Sequence, residues 1–393
     1  MLLSLSLIFI VALALNGILN KLKIPGLLGM ILTGIILGPF VLDLISPEIL
    51  AVSSDLREIA LIVILLRAGL SLDIKDLKKV GRPAILLCFV PAVFEIIAIV
   101  LLAPIFFKIT TLEAAILATV VAAVSPAVVV PRMIHLLDNG YGKEHSVPQL
   151  IMAGASVDDV FVIVLFTSFM AMYKGDGFSP ISLLKVPVSI LLGIGLGVVV
   201  GLLLIQLFKK IHMRDTVKIL IIFSTAFLLI SFQDAMEAYV PISGLLAIMA
   251  IGATILTYYD KLAFRLKNKF SKIWVFAELI LFVLVGAAVD ITYLADAGLL
   301  SVLLILLALC FRMLGVLISL IKSPLNKKER LFSSIAYLPK ATVQAAIGSI
   351  PLTQGVAAGN MILVIAVVAI LVTAPIGALG IDLTYNKLLV KEG

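Results

Sequence analysis

Long apolar runs separated by short polar connections dominate the chain. A helix needs about 20 mostly apolar residues to cross a hydrocarbon core of about 30 Å. On that criterion the pattern predicts about thirteen membrane-spanning helices. The predicted spans cover 2–19, 25–42, 57–71, 83–107, 112–134, 148–172, 180–207, 217–233, 239–257, 273–289, 298–321, 330–351 and 360–381. The first run has no basic leader, so we interpret it as a retained span rather than a signal peptide.

Composition supports an all-α membrane protein. Hydrophobic residues make up 62% of the 393 residues, charged residues make up 13%, and the mean hydropathy is +1.25. A water-soluble domain could not bury so much apolar surface. Cys88 and Cys310 both lie in apolar runs and lack the spacing of a metal or redox site.

The distribution of basic residues predicts the orientation. With the N-terminus outside, the connections on the inner side hold 23 of the 30 Lys and Arg residues. Cytoplasmic loops of membrane proteins carry such an excess. A topology with the N-terminus outside and the C-terminus in the cytoplasm therefore accounts for the net charge of +7, and no nucleic-acid partner is expected.

Charged residues inside the apolar runs are the candidates for function, because an ionised group at bilayer depth is costly unless it is partnered. Asp158 and Asp159 lie side by side near the middle of span 6. Glu95, Arg312 and Lys340 lie at comparable depth in spans 4, 11 and 12. If Glu95 and Asp158 neutralise the two cations, Asp159 is left without a dedicated cation. The alternative is that all five residues form an ion-pair scaffold that only holds helices together.

The other charged and titratable residues within or near the spans are interpreted as peripheral. Arg67 lies close enough to the inner end of its span to snorkel to the interface, and Glu278 lies near an inner end too. His135, His145 and His212 fall at or near inner loops, where solvated histidines are common.

Two prolines interrupt helices at mid-depth. Pro126 lies in span 5 and Pro339 in span 12, and each frees a backbone carbonyl that polar neighbours or an ion can satisfy. Thirteen spans divide into six, one and six, which places both prolines in the fifth member of a half. This predicts inverted repeats with two discontinuous helices crossing around an ion site, as in secondary transporters. The predicted domains are a first repeat at 1–179, a linker helix at 180–207 and a second repeat at 208–393.

Several motifs resemble one known family. They are Ser125-Pro126-Ala127-Val128-Val129-Val130-Pro131, Ser156-Val157-Asp158-Asp159 and Leu338-Pro339-Lys340-Ala341-Thr342-Val343-Gln344-Ala345-Ala346-Ile347-Gly348-Ser349. They resemble the monovalent cation/proton antiporter superfamily, specifically the NHA branch with mammalian sodium/hydrogen exchangers and bacterial relatives. The resemblance covers nearly the whole chain.

The resemblance implies a homodimer that exchanges Na⁺ or Li⁺ for H⁺ by an elevator-like movement and serves pH homeostasis. Each subunit would have a core domain of spans 3–6 and 10–13 and a scaffold domain of spans 1, 2, 7, 8 and 9. Asp159 would be the principal carboxylate that exchanges the cation for a proton, with Asp158 beside it. The resemblance makes Lys340 a partner of Asp158 and Ser125 a further ligand, and oxygen ligands suit small hard cations. No cofactor is expected besides the transported ions.

The chain departs from the best-known electrogenic members of this superfamily at Arg312, where those proteins carry a lysine. An arginine does not release its proton in proteins, whereas a buried lysine can. If that lysine carries a second proton, exchange in this chain is expected to be electroneutral. Low pH should reduce transport, because protons then outcompete the cation for the carboxylates.

Other functions use the same residue types. A K⁺/H⁺ exchanger would need the same acids, and a sodium-coupled organic-anion carrier shares the architecture but needs a roomy cavity. An intramembrane hydrolase uses two aspartates that face each other from separate helices, whereas adjacent residues point about 100° apart on one helix. No Gly-rich nucleotide loop is present. We therefore expect a transporter rather than an enzyme, in a prokaryotic inner membrane.

Overall fold

The computed structural model describes residues 1–22, 24–71, 81–176, 180–236, 240 and 242–391. Within these residues the chain forms helices and no β-strand. The α-helices are α1 (Leu2–Lys21), α2 (Leu27–Leu37), α3 (Pro47–Ala51), α4 (Ser53–Gly69), α5 (Arg82–Leu87), α6 (Val90–Phe107), α7 (Thr111–Ala122), α8 (Pro126–Asp138), α9 (Val147–Ala171), α10 (Pro180–Lys210), α11 (Asp215–Met236), α12 (Gly244–Tyr258), α13 (Asp260–Ala287), α14 (Ile291–Ser319), α15 (Lys327–Ala336), α16 (Thr342–Ile347), α17 (Ile350–Thr353) and α18 (Gly359–Leu388).

The described helices confirm an integral membrane protein. Nine helical segments in the described part of the chain are long and apolar enough to cross a bilayer, and α2 and α12 are shorter apolar helices. The two remaining predicted spans correspond to α4, which has 17 residues, and to the interrupted segment α15–α16. The count of thirteen spans and their orientation stay predictions. Part of the predicted inner connection after α4, residues 72–80, lies outside the described residues.

The chain divides into two compact units. The first comprises residues 1–54, 75–170 and 279–393, and the second comprises residues 55–74 and 171–278. Within the first unit α6 packs against α14, and α18 contacts α7, α14 and α15. Within the second unit α10 packs along α12. The predicted repeats, core and scaffold concern symmetry and movement, and they stay predictions.

The first predicted helix break lies between α7 and α8. After Ala122 the backbone is extended at Ala123 (φ −71°, ψ 141°) and at Ser125 (φ −89°, ψ 109°). Pro126 occupies the first position of α8. Proline disfavours the helical conformation for the residue before it but is well suited to start a helix, which explains why the chain breaks here.

The second predicted break lies between α15 and α16. Pro339 and Lys340 occupy the non-helical segment after Ala336 and before Thr342. The Pro339 carbonyl accepts a hydrogen bond of 2.8 Å from the Ser125 N–H. The two breaks therefore touch, and their backbone groups satisfy each other in part.

Candidate functional site

Arg312 lies at the centre of the charged residues that the sequence singled out. Its side chain is fully buried on α14. Its Nη1 donates to Glu95 Oε2 on α6 at 2.8 Å, and its Nη2 donates to Asp158 Oδ2 on α9 at 2.8 Å. One guanidinium thus joins two acids from different helices, a task that suits its planar fork of donors.

The same guanidinium also binds both helix breaks. Its Nε donates to the Tyr337 carbonyl at 2.8 Å, just after the end of α15. Its Nη1 also contacts the carbonyl of Ala122, the last residue of α7. The last carbonyls of a helix lack partners within the helix and carry partial negative charge. Arg312 therefore satisfies helix ends as well as carboxylates.

Lys340 completes the buried charge cluster. Its Nζ donates to Glu95 Oε2 at 2.8 Å, and both side chains are fully buried. Its backbone N–H donates to Thr373 Oγ1 on α18 at 2.9 Å. The expected pairing of Lys340 with Asp158 is wrong for this structure: Lys340 pairs with Glu95, and Arg312 is the partner of Asp158. The reason is geometric, because Glu95 Oε2 lies between the two cations and contacts both.

Asp158 and Asp159 occupy different environments although they are adjacent. Asp158 Oδ2 accepts hydrogen bonds from Arg312 and from the Val124 N–H at 2.8 Å. Asp159 is 4% exposed, and in the described part of the chain no cation lies within ion-pair distance of it. The two acids of the cluster, Glu95 and Asp158, are matched in charge by Arg312 and Lys340. Among the described residues Asp159 has no ion-pair partner, and its role as the ion-binding carboxylate stays a prediction.

Ser125 lies in the first break with its hydroxyl fully buried. Its N–H donates to the Pro339 carbonyl, and its Oγ has no hydrogen-bond partner among the described residues. Five other buried oxygens of the helix breaks and the charge cluster also have no hydrogen-bond partner among the described residues. They are Glu95 Oε1, Asp158 Oδ1, Asp159 Oδ1, Thr342 Oγ1 and Gln344 Oε1. Oxygen atoms of this kind suit a desolvated hard cation. The described residues include no group of three or more His, Cys, Asp or Glu side chains placed for a resident metal.

Arg67 and His145, two of the residues interpreted as peripheral, have contacts of their own. In the second unit, the Arg67 guanidinium stacks over the Trp274 ring at 5.3 Å, on the helix that also carries Glu278. In the first unit, His145 Nδ1 lies 3.0 Å from Glu329 Oε2, in the loop before α9. Neither of these pairs includes a residue of the charge cluster.

Gln344 and Tyr337 contact the helix breaks or the charge cluster, although the sequence did not single them out for such a role. Gln344 is fully buried and donates from Nε2 to the carbonyls of Val121 and Ala123 at 3.0 and 2.9 Å. The signal for Gln344 was present, because it is an amide in an apolar segment four residues after Lys340. Tyr337 contributes a backbone carbonyl to Arg312, a contact that no sequence pattern predicts.

Comparison with known proteins gives consistent similarities. A family model described as "Sodium/hydrogen exchanger, transmembrane" matches residues 5–387. The chain is 34% identical over 384 residues to "Sodium/hydrogen exchanger 9B2" of Homo sapiens, covering 94% of this chain and 70% of the human protein. It is 32% identical over 385 residues to "Sodium/hydrogen exchanger 9B1" of Homo sapiens, covering 94% of this chain and 73% of that protein.

A solved structure shares the fold. It is the structure of the sodium proton antiporter MjNhaP1 from Methanocaldococcus jannaschii at pH 8, with a TM-score of 0.83. The match covers 98% of this chain and 97% of that chain at 20% sequence identity. At this identity the likeness concerns the fold alone.

Proposed function

This chain belongs to the sodium/hydrogen exchanger family, and from that premise we propose that it exchanges Na⁺ or Li⁺ for H⁺ across a cell membrane. Asp159 carries the cation or the proton in this proposal. The observation that supports it is the uncompensated carboxylate of Asp159 beside a cluster in which two acids and two cations balance. Asp158 Oδ1 and Ser125 Oγ add buried oxygens that have no hydrogen-bond partner among the described residues.

The exchange follows from competition for one carboxylate. A charged Asp159 disfavours movement of the site through the apolar barrier, because an uncompensated charge there is costly. Either a cation or a proton removes that charge, so the loaded site can change sides in both directions. Since the cation and the proton exclude each other from the carboxylate, a gradient of one drives transport of the other in the opposite direction. Protons at low pH displace the cation, so transport falls there.

Electroneutral exchange is the stoichiometry that we propose. Arg312 keeps its proton, and it remains bound to two carboxylates. Lys340 is held by Glu95. The cluster then keeps a constant charge during the cycle, and one cation exchanges for one proton. We further propose that the protein is a homodimer in a prokaryotic inner membrane, with its N-terminus outside. It moves the site in an elevator-like manner and needs no cofactor.

Proton movement in proteoliposomes tests this function. Purified protein is reconstituted with an imposed proton gradient, and cation-induced pH change is measured for wild type, Asp159→Asn and the control Asp382→Asn. Asp382 is an exposed partner of Arg132 on α8, so the same substitution there should leave transport intact. We expect Na⁺ or Li⁺ to move protons except in Asp159→Asn.

Two further arms separate the alternatives. Insensitivity to a membrane potential set with K⁺ and valinomycin would support electroneutrality. Uptake of labelled rubidium in place of labelled sodium would indicate K⁺/H⁺ exchange, which uses the same acids. Normal transport by Asp159→Asn would refute the assignment of Asp159. If no monovalent cation moves protons, the sodium-coupled organic-anion carrier becomes the better interpretation.

A further inference from the structure

Gln344 reaches from α16 to the end of α7 and holds two backbone carbonyls there. Its Nε2 lies 3.0 Å from the Val121 oxygen and 2.9 Å from the Ala123 oxygen. Both contacts are with acceptors, so the amide NH₂ group must face them and the orientation of the side chain is fixed. Because Arg312 contacts the Ala122 carbonyl, three consecutive carbonyls at this helix end are bound by side chains.

The Ala123 carbonyl connects Gln344 directly with Asp158. The peptide bond that contains this carbonyl also contains the Val124 N–H, and a peptide group is planar with its C=O and N–H pointing in opposite directions. The Val124 N–H donates to Asp158 Oδ2 at 2.8 Å. A chain of hydrogen bonds therefore runs from the Gln344 amide through one rigid peptide to the carboxylate of Asp158.

We propose that Gln344 is a positioning residue for Asp158 in the exchange reaction, an inference that rests on the function proposed above. By fixing the Ala123–Val124 peptide plane, Gln344 keeps the Val124 N–H aimed at Oδ2. Asp158 then presents its unpartnered Oδ1 in one direction. Without the amide, the Ala123 carbonyl loses its side-chain partner, and the peptide plane loses a contact that keeps the Val124 N–H aligned with Asp158.

The expected consequence is a change in cation affinity rather than in the speed of the loaded carrier. A less well oriented Asp158 offers the cation a poorer ligand. A hydrogen bond to a charged group is worth roughly a factor of ten in an equilibrium. Removing the amide should therefore raise the KM for Na⁺ about tenfold. The maximal rate should stay near that of wild type.

Gln344→Met tests the proposal, because methionine has similar length and volume but donates no hydrogen bond. The matched control is Gln233→Met. Gln233 Oε1 accepts a hydrogen bond of 2.7 Å from the Gly244 N–H at the start of α12, so it also binds a helix end but lies in the other unit. Gln344→Asn keeps the amide on a shorter side chain, and it serves as the second variant if Gln344→Met does not fold.

The measurements are KM and maximal rate for Na⁺ in proteoliposomes at several pH values, with thermal unfolding in detergent to verify folding. We expect a raised KM for Gln344→Met, a smaller rise for Gln344→Asn and none for Gln233→Met. An unchanged KM in folded Gln344→Met, beside an active wild type, would overturn this inference and leave the proposed function intact. So would a fall in maximal rate alone. An inactive wild type would overturn the proposed function, and this inference with it.

Discussion

Removing one charge from the buried cluster should change the stability of the protein according to whether the remaining charges keep their partners. Glu95 Oε2 accepts from both Arg312 and Lys340 at 2.8 Å, and all three side chains are fully buried. In Glu95→Gln, Arg312 keeps its pair with Asp158. Lys340 loses the one ion pair that the described residues give it. Leaving a buried charge without its partner costs about 3–5 kcal/mol.

The substitution Lys340→Met should destabilise the protein less than Glu95→Gln does. In Lys340→Met every remaining charge of the cluster still has an ion-pair partner, because Glu95 keeps Arg312. The double variant Glu95→Gln, Lys340→Met retains the Arg312–Asp158 pair and holds no orphaned cation. We therefore expect the double variant to be more stable than Glu95→Gln alone, by about 2 kcal/mol or more.

Wild type, the two single variants and the double variant are purified in detergent and heated. The fraction that remains monodisperse at each temperature ranks their stability. Wild type should unfold at the highest temperature and Glu95→Gln at the lowest, with Lys340→Met and the double variant between them. As a control, Arg132→Gln removes an exposed pair and should cost under about 1 kcal/mol. If the double variant is less stable than Glu95→Gln, or if the two losses simply add, the charge-balance reasoning is refuted.

Two packing contacts give further predictions. Gly154 lies one turn before Asp158, and a Cβ there would meet the Tyr337 hydroxyl and lie 2.9 Å from the Leu87 Cβ. Gly154→Ala should therefore cost about 1–3 kcal/mol, and adding Tyr337→Phe should restore part of the loss. Equal melting temperatures of the single and double variants would contradict this. Glu329 is almost fully buried, accepts from the Asn326 N–H at 2.8 Å and lies 3.0 Å from His145. Glu329→Ala should cost about 1–2 kcal/mol in a thermal unfolding assay, and an unchanged unfolding temperature would show that neither contact stabilises α15.

The sequence alone singled out the charged residues that the structure brings together. In an apolar run, any charge or proline stands out, because a bilayer offers neither water nor spare hydrogen-bond partners. Asp158, Arg312 and Lys340 were identified on that basis, and the prolines placed both helix breaks where the structure has them. The motifs identified the family, which the comparisons confirm. The number of spans was less well determined, since helix length in a folded chain also depends on packing.

Only the tertiary structure decided which groups touch. The pairing of Lys340 with Glu95 rather than Asp158 depends on how α6 and α9 are rotated relative to the helix break that carries Lys340, and these segments are far apart in sequence. The hydrogen-bond chain from Gln344 to Asp158 depends on the orientation of a single peptide plane in a helix break. Hydropathy records how deep a residue lies in the membrane but not the direction in which its side chain points. The sequence therefore determined the depth and the chemistry of the site, and the packing of the helices determined its connections.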